Sequence, residues 1–192
     1  MRTRFLRLCL YALVADKLLP DVSVCERLRA QVARVLLGAN LGRGVRLRAN
    51  IDFGNDPSGI SIGEGCYINR RCTFFADWGC RITLGRNVWL GPEVMLWTGT
   101  HEVGPSTQRC GPAQMRPIVI EDGCWLGART TVLAGVKIGA GSVIGACALV
   151  AHDVASNVVS AGIPAKVLQV LDADPPPVST TLVLEVRETE RC

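Results

Sequence analysis

The chain holds two histidines, His101 and His152. His101 opens a twenty-residue stretch, TGTHEVGPSTQRCGPAQMRP, which lacks the apolar pattern found on either side of it. An imidazole on a loop held by a regular scaffold suits general-base chemistry, because the ring takes up and gives back protons near neutral pH. Composition alone also admits a surface histidine with no chemical role. No serine with a neighbouring base and orienting group is evident, so direct transfer to a substrate needs no covalent enzyme intermediate. A zinc hydrase on such a scaffold would need three histidines and an open water position, and the chain has two. No CxxC or CxxH pair occurs either, and no metal is expected.

The elements that hold His101 are legible in a six-residue period. Ile120, Leu126, Val132, Ile138, Ile144 and Val150 are branched and apolar. Four residues after each comes a small or β-branched residue: Cys124, Thr130, Val136, Ser142, Ala148 and Val154. A helix requires apolar residues every three or four positions, and a simple sheet requires sustained alternation, so neither fits. A hexapeptide period predicts a parallel β-solenoid, with three short faces per coil and the large apolar residue directed to the axis. The frame extends back through Val45, Ile51, Ile62, Ile68 and Phe74, slips by four residues around Asp77, and continues through Leu84, Leu90 and Leu96. From Leu96 to Ile120 is four whole periods. The His101 stretch must therefore leave the coil as a loop and return in phase, in about five coils in all.

Three segments are expected: a helical one at 1–39, the solenoid at 40–171 with its loop at 98–117, and a Pro-rich linker and tail at 172–192. Residues 3–19 and 23–37 read as helices, ended by Pro20 and Gly38. Ser23 and Glu26 have the spacing of a capping box. In the second helix Leu28, Val32, Val35 and Leu36 would share the buried face, with Arg27, Arg29 and Arg34 solvated. The basic, partly apolar start also resembles a secretory leader, interrupted by Arg7; an amphipathic helix packed on the solenoid or touching a membrane surface is preferred. The alternation in STTLVLEVRE fits one strand in the tail.

A length of 192 residues with 48% hydrophobic and 20% charged residues describes a globular chain with a substantial core, and no segment reaches membrane-span length. The net charge of +4 is small and no basic-aromatic interleaving occurs, so nucleic acid is not an expected partner. Nine cysteines are an odd set for a disulfide framework. Cys66, Cys72 and Cys124 fall on the small-residue position, where a thiol acts as a compact apolar group. Reduced thiols in a reducing compartment, the cytoplasm, follow, with Cys110 and Cys192 exposed.

TGTH, then CWLGARTTVLAGVKIGAGSVIGACALVAHDV, then GIPAKV resembles the hexapeptide-repeat acyltransferases, in particular the sugar O-acetyltransferases related to the maltose and galactoside enzymes. Over residues 40–170 the resemblance implies a single-stranded left-handed parallel β-helix and a homotrimer with active sites between subunits. It implies acetyl transfer from acetyl-CoA to a hydroxyl of a small carbohydrate acceptor, with His101 as the catalytic histidine. The acceptor-binding Asn of a Tyr-x-Asn element maps to Asn69 and an acceptor-binding Asp to Asp77. The backbone along the pantetheine arm maps to Trp125, Gly127, Ala128, Gly145 and Ala146, and a residue facing CoA phosphates maps to Lys166. The chain departs from the family pattern at Cys147, where relatives have Gly, at His152, where many have Lys, and in the spacing of residues 75–85. A non-catalytic scaffold, or transfer to an amino sugar or amino acid, are the alternatives.

Overall fold

A computed structural model describes residues 2–76 and 79–172. The strand expected in the C-terminal tail lies outside the described residues. Because the period is six, each coil offers three short strands, and each pairs in parallel with its counterpart in the next coil. The first face has five strands, one per coil: Asn40–Leu41, Ile60–Ile62, Ile82–Leu84, Ile118–Ile120 and Lys137–Ile138. The second runs through Arg46–Leu47, Tyr67–Ile68, Trp89–Leu90, Trp125–Leu126, Val143–Ile144 and Val158–Ala161, and Lys166–Val170 closes it antiparallel. The third holds Thr73–Phe75, Met95–Trp97, Thr131–Val132 and Leu149–Val150.

Register follows the hexad. Ile120 pairs with Leu84 and Ile138, Leu126 with Leu90 and Ile144, and Val132 with Leu96 and Val150, and all of these side chains are buried. The branched residues thus stack along the axis as one core. The small residues sit beside the corners: Cys66, Cys72, Cys124, Thr130, Ser142 and Ala148 are all buried. Burial pushes the Cys66 thiol up to about 11 and the Cys72 thiol up to about 12, which keeps both neutral.

The helical segment differs from its sequence reading in detail. A helix, α1 (Arg2–Tyr11), runs into a wider turn at Ala12–Leu18, and a short 3-10 turn at Ser23–Cys25 precedes α2 (Glu26–Leu37). No capping box forms: Ser23 belongs to the 3-10 turn and α2 starts without a side-chain cap. The buried face of α2 is Glu26, Arg29, Ala30 and Ala33, while Leu28 and Val35 are exposed. Arg29 is fully buried because it caps the preceding segment, donating to the carbonyls of Ala15 (2.9 Å), Leu19 (2.7 Å) and Pro20 (2.6 Å). Helix-end carbonyls lack intrahelical partners, and a guanidinium fork satisfies several of them at once. Glu26 and Asp21 both meet Arg48, at 3.3 and 2.9 Å, tying this segment to the first coil. No described helix is long and apolar enough to cross a membrane.

Candidate functional site

The stretch expected as a loop is a β-hairpin. Gly99–Val103 pairs antiparallel with Cys110–Met115, with His101 opposite Ala113 and Gly99 opposite Met115. It rises where the third face ends, at the edge shared with the first face, and the chain rejoins the coil at Ile118 in phase with Ile82. Its root is anchored on Phe75: the Thr98 N–H and hydroxyl both donate to the Phe75 carbonyl, at 3.1 and 2.7 Å. Gly99 leaves room there for the side chains: a Cβ would lie 3.1 Å from Trp97 Nε1 and 3.3 Å from side-chain atoms of both Met115 and Phe75.

His101 is exposed, and its Nδ1 lies 2.9 Å from the Gly111 carbonyl oxygen. A carbonyl only accepts, so Nδ1 carries the proton and Nε2 of the neutral ring holds its lone pair outward. The register of the hairpin shifts between Cys110 and Ala113, and this irregularity frees the Gly111 carbonyl to face the ring. Gly111 is itself sterically required, since a Cβ would meet the Glu102 carbonyl oxygen at 2.8 Å. Sequence reasoning passed over this residue. The Gly111-Pro112 pair was its only signal, a dipeptide typical of turns and irregular strands.

Most of the other candidate residues share one edge, between the second and third faces. Asn69 follows the second-face strand Tyr67–Ile68, half-buried, and its side-chain oxygen accepts from the Arg70 N–H at 2.9 Å. Gly127 and Ala128 occupy the corresponding corner two coils on, and Gly145 and Ala146 the next. Gly127 donates to the Ile144 carbonyl at 2.8 Å and Gly145 to that of Ser160 at 2.8 Å, while the Thr130 hydroxyl donates to the Gly127 carbonyl at 2.8 Å. An added Cβ at Gly127 would stand 2.5 Å from Ala146 N, and one at Gly145 2.6 Å from the Ala161 Cβ. These glycines are therefore required by coil-to-coil contact, independently of any ligand. Trp125 points outward from the second face, 56% exposed, next to Trp89 in register. Lys166, exposed, begins the closing strand opposite Ala161. Asp77 lies outside the described residues.

Arg71, Glu93, Arg129 and Cys147 repeat along this same edge, each with φ between 58 and 60°. Cys147, a departure noted in the sequence, thus stands at a left-handed position that glycine adopts without strain. Glu93 lies 2.8 Å from Arg129 and 3.4 Å from Arg71; the hydrogen bond from Arg129 is the main reason its carboxyl is held below the usual range. His101 is rooted on the other edge of the third face. A side of the coil is about six residues long, corner included, so the two edges lie roughly 15–20 Å apart. Among the described residues no cluster of three or more His, Cys, Asp or Glu side chains could hold a metal ion.

Residues 117–152 match the family model described as bacterial transferase hexapeptide (six repeats). A Saccharomyces cerevisiae protein provisionally named an acetyltransferase is 32% identical over 75% of this chain and 71% of its own length. The chain belongs to the hexapeptide-repeat transferase family. The galactoside O-acetyltransferase of Lactococcus lactis is 41% identical over 56% of this chain and 51% of its own length. The chain thus spans about half the length of that enzyme, and 54% of a Schizosaccharomyces pombe relative. Among solved structures, a hexapeptide-repeat-containing acetyltransferase of Vibrio cholerae, complexed with acetyl coenzyme A, superposes with a TM-score of 0.74. It is 28% identical, and the match covers 89% of this chain and 88% of that one.

Proposed function

We propose that this protein is an acetyl-CoA-dependent O-acetyltransferase acting on a hydroxyl of a small carbohydrate, with His101 as general base. The observation that carries this reading is the hydrogen bond from Nδ1–H of His101 to the Gly111 carbonyl. It orients the ring and leaves Nε2 as the proton acceptor, the role that direct acyl transfer requires. Nε2 removes the proton of the acceptor hydroxyl as that oxygen attacks the thioester carbonyl. The C–S bond then breaks, the acetyl ester forms, and the proton passes to the departing CoA thiolate, which regenerates neutral His101. The names of relatives and structural neighbours, galactoside and maltose O-acetyltransferases among them, support the substrate class.

On this reading the coil is left-handed, and the pantetheine arm lies along Trp125, Gly127, Ala128, Gly145 and Ala146, with Lys166 towards the CoA phosphates. Asn69 and Asp77 contact the acceptor. That row is on one edge of the prism and the hairpin is rooted on another. A thioester on the row therefore meets the His101 of a second copy, and a cyclic homotrimer closes three such clefts. The buried thiols suit a reducing compartment, the cytoplasm. Steady-state acetyl-CoA turnover with galactosides and maltose, read by free thiol release, tests the proposal. His101→Ala lowers kcat by about 10²–10⁴-fold with the fold intact; an unchanged rate removes the assignment of His101, and an absence of turnover in the wild type leaves a scaffold protein.

A further inference from the structure

On the third face the outward positions at the end of each strand form a column along the axis. Phe75 pairs with Trp97 in the next coil, and their rings stack in parallel at 4.1 Å with 5° between planes. Leu133 takes the same outward position one coil further on. In the other direction the column is interrupted. Asp52 pairs with Thr73, and Phe53 stacks on Phe74 inside the core, which puts Gly54 directly beneath Phe75. Gly54 has no side chain, so one ring of the stack is missing. A cavity of about 420 Å³ opens at this place. Phe75, Trp97, Gly54 and Asp52 line it from the coil, the Asp52 carboxylate accepting from the Gly54 N–H at 2.8 Å, and Tyr11 and Leu37 line it from the helical segment.

The coil repeat of about 4.8 Å is close to the stacking distance of flat rings, so a ring entering at the level of Gly54 continues a stack already in place. The volume is that of a small-molecule site, and apolar walls with few polar groups are the usual make-up of one. The hairpin bearing His101 is rooted on the same two residues, by the Thr98 hydroxyl on the Phe75 backbone carbonyl and by Gly99 beside both rings.

We propose that this gap is an acceptor subsite that takes a flat aromatic ring carried beside the reacting hydroxyl, as in an aryl glycoside. The assignment of an acceptor rests on the reading of His101 as the base of an acyl transfer; the ring site itself does not. Phe75 supplies the stacking surface, Tyr11 and Leu37 close the slot from above, and Asp52 accepts a hydrogen bond from a hydroxyl of the acceptor. Phe75 and Trp97 thereby become specificity-determining residues.

Calorimetric titration of the full chain with phenyl β-D-galactopyranoside and methyl β-D-galactopyranoside tests this, beside the KM of each in acetyl transfer. The phenyl compound should bind at least about tenfold more tightly, the scale of one ring stacked on an aromatic surface. Phe75→Ala should remove that advantage without changing the KM for acetyl-CoA, and Phe75→Tyr should keep it. If Phe75→Ala does not fold, Phe75→Leu serves the same comparison. Equal affinity for the two glycosides in the wild type, or a phenyl advantage that survives loss of the ring, overturns the proposal. His101→Ala should lower the rate of transfer by about 10²–10⁴-fold and leave phenyl glycoside binding unchanged. Ring binding through Phe75 without acetyl transfer to either compound would sink the acyl-transfer reading and not the ring site.

Discussion

Substituting Gly127 by alanine tests whether the edge carrying the proposed cofactor row is set by coil-to-coil contact. The new Cβ would lie 2.5 Å from Ala146 N, 2.9 Å from Ala146 Cα and 3.0 Å from Gly145 C, all backbone atoms of the next coil. Restoring an ordinary contact of about 3.5 Å requires the two coils to part there by nearly 1 Å. The bonds strained by that movement are Gly127 N–H to Ile144 O and Cys147 N–H to Ala128 O, both 2.8 Å. Overpacking of this kind costs about 1–3 kcal/mol and each of the two weakened hydrogen bonds about 0.5 kcal/mol, so we expect a loss of roughly 2–4 kcal/mol. In a chain of this size that lowers Tm by roughly 5–15 °C. Gly38→Ala is the control: nothing lies within 4 Å of its Cβ position, and only its φ of 69° opposes the change. Its cost is about 1–2 kcal/mol, purely conformational. Urea denaturation of both variants, with acetyl-CoA titration of the folded proteins, separates the effects. If Gly127→Ala loses less than Gly38→Ala, the close contact is not what requires glycine, and the edge is free to adjust around a ligand.

Cys147→Gly should stabilise by about 0.5–1 kcal/mol, since a non-glycine residue is there held at φ 60° on an exposed corner; a matched denaturation series in which the variant is weaker contradicts this. Burial raises the Asp21 carboxyl, but hydrogen bonds from Arg48 and the Ala49 N–H and the nearby arginine charges outweigh it and leave its folded value below the ordinary one. Asp21 therefore stabilises the fold fully above the unfolded carboxyl value of about 3.9, and that contribution is lost as pH falls through the lower folded value. Asp21→Asn should cost about 2 kcal/mol near pH 7 and much less near pH 2–3, measured as the difference in unfolding free energy between the two proteins; a difference independent of pH would refute the pairing. Towards a thiol reagent at pH 8, exposed Cys110 and Cys147 should react at least about a hundredfold faster than Cys66 and Cys72, whose thiols stay protonated. Mass mapping of early labelled peptides decides this, and early labelling of Cys72 would mean that the core opens.

The inward half of the solenoid was open to sequence reading because one requirement, filling a narrow prism, recurs in every coil. Each position from Ile120 to Val154 in that frame is buried where the period puts it. The helical segment was less legible for the same reason in reverse. Its buried face is chosen by neighbours far along the chain, so Arg29 sits inside because Ala15, Leu19 and Pro20 expose carbonyls that need donors. Helical periodicity saw only an arginine and assigned it to water. The hairpin lay between these cases. Its return in phase could be counted, but its pairing depends on Thr98 and Gly111 contacts that no repeat encodes.

The repeat constrains inward residues and leaves outward ones free, and in this chain the three faces use that freedom differently. The first face shows Asn40, Ser61, Thr83, Val119 and Lys137 to the outside in register, a mostly polar row suited to water. The second shows Arg46, Tyr67, Trp89 and Trp125, with the guanidinium 4.7 Å from the Tyr67 ring centre. The third shows Phe75 and Trp97 beneath the hairpin. Apolar outward rows on two adjacent faces, with Trp89 and Trp125 about half exposed, leave on the surface the aromatic area that a ligand or a second copy would cover. The polar row on the remaining face needs no such cover. The proposed acyl transfer and assembly would use these two faces, which meet at the row of Asn69, Gly127 and Gly145. The hexad does not reveal this, because identical inward spacing is compatible with any outward sequence.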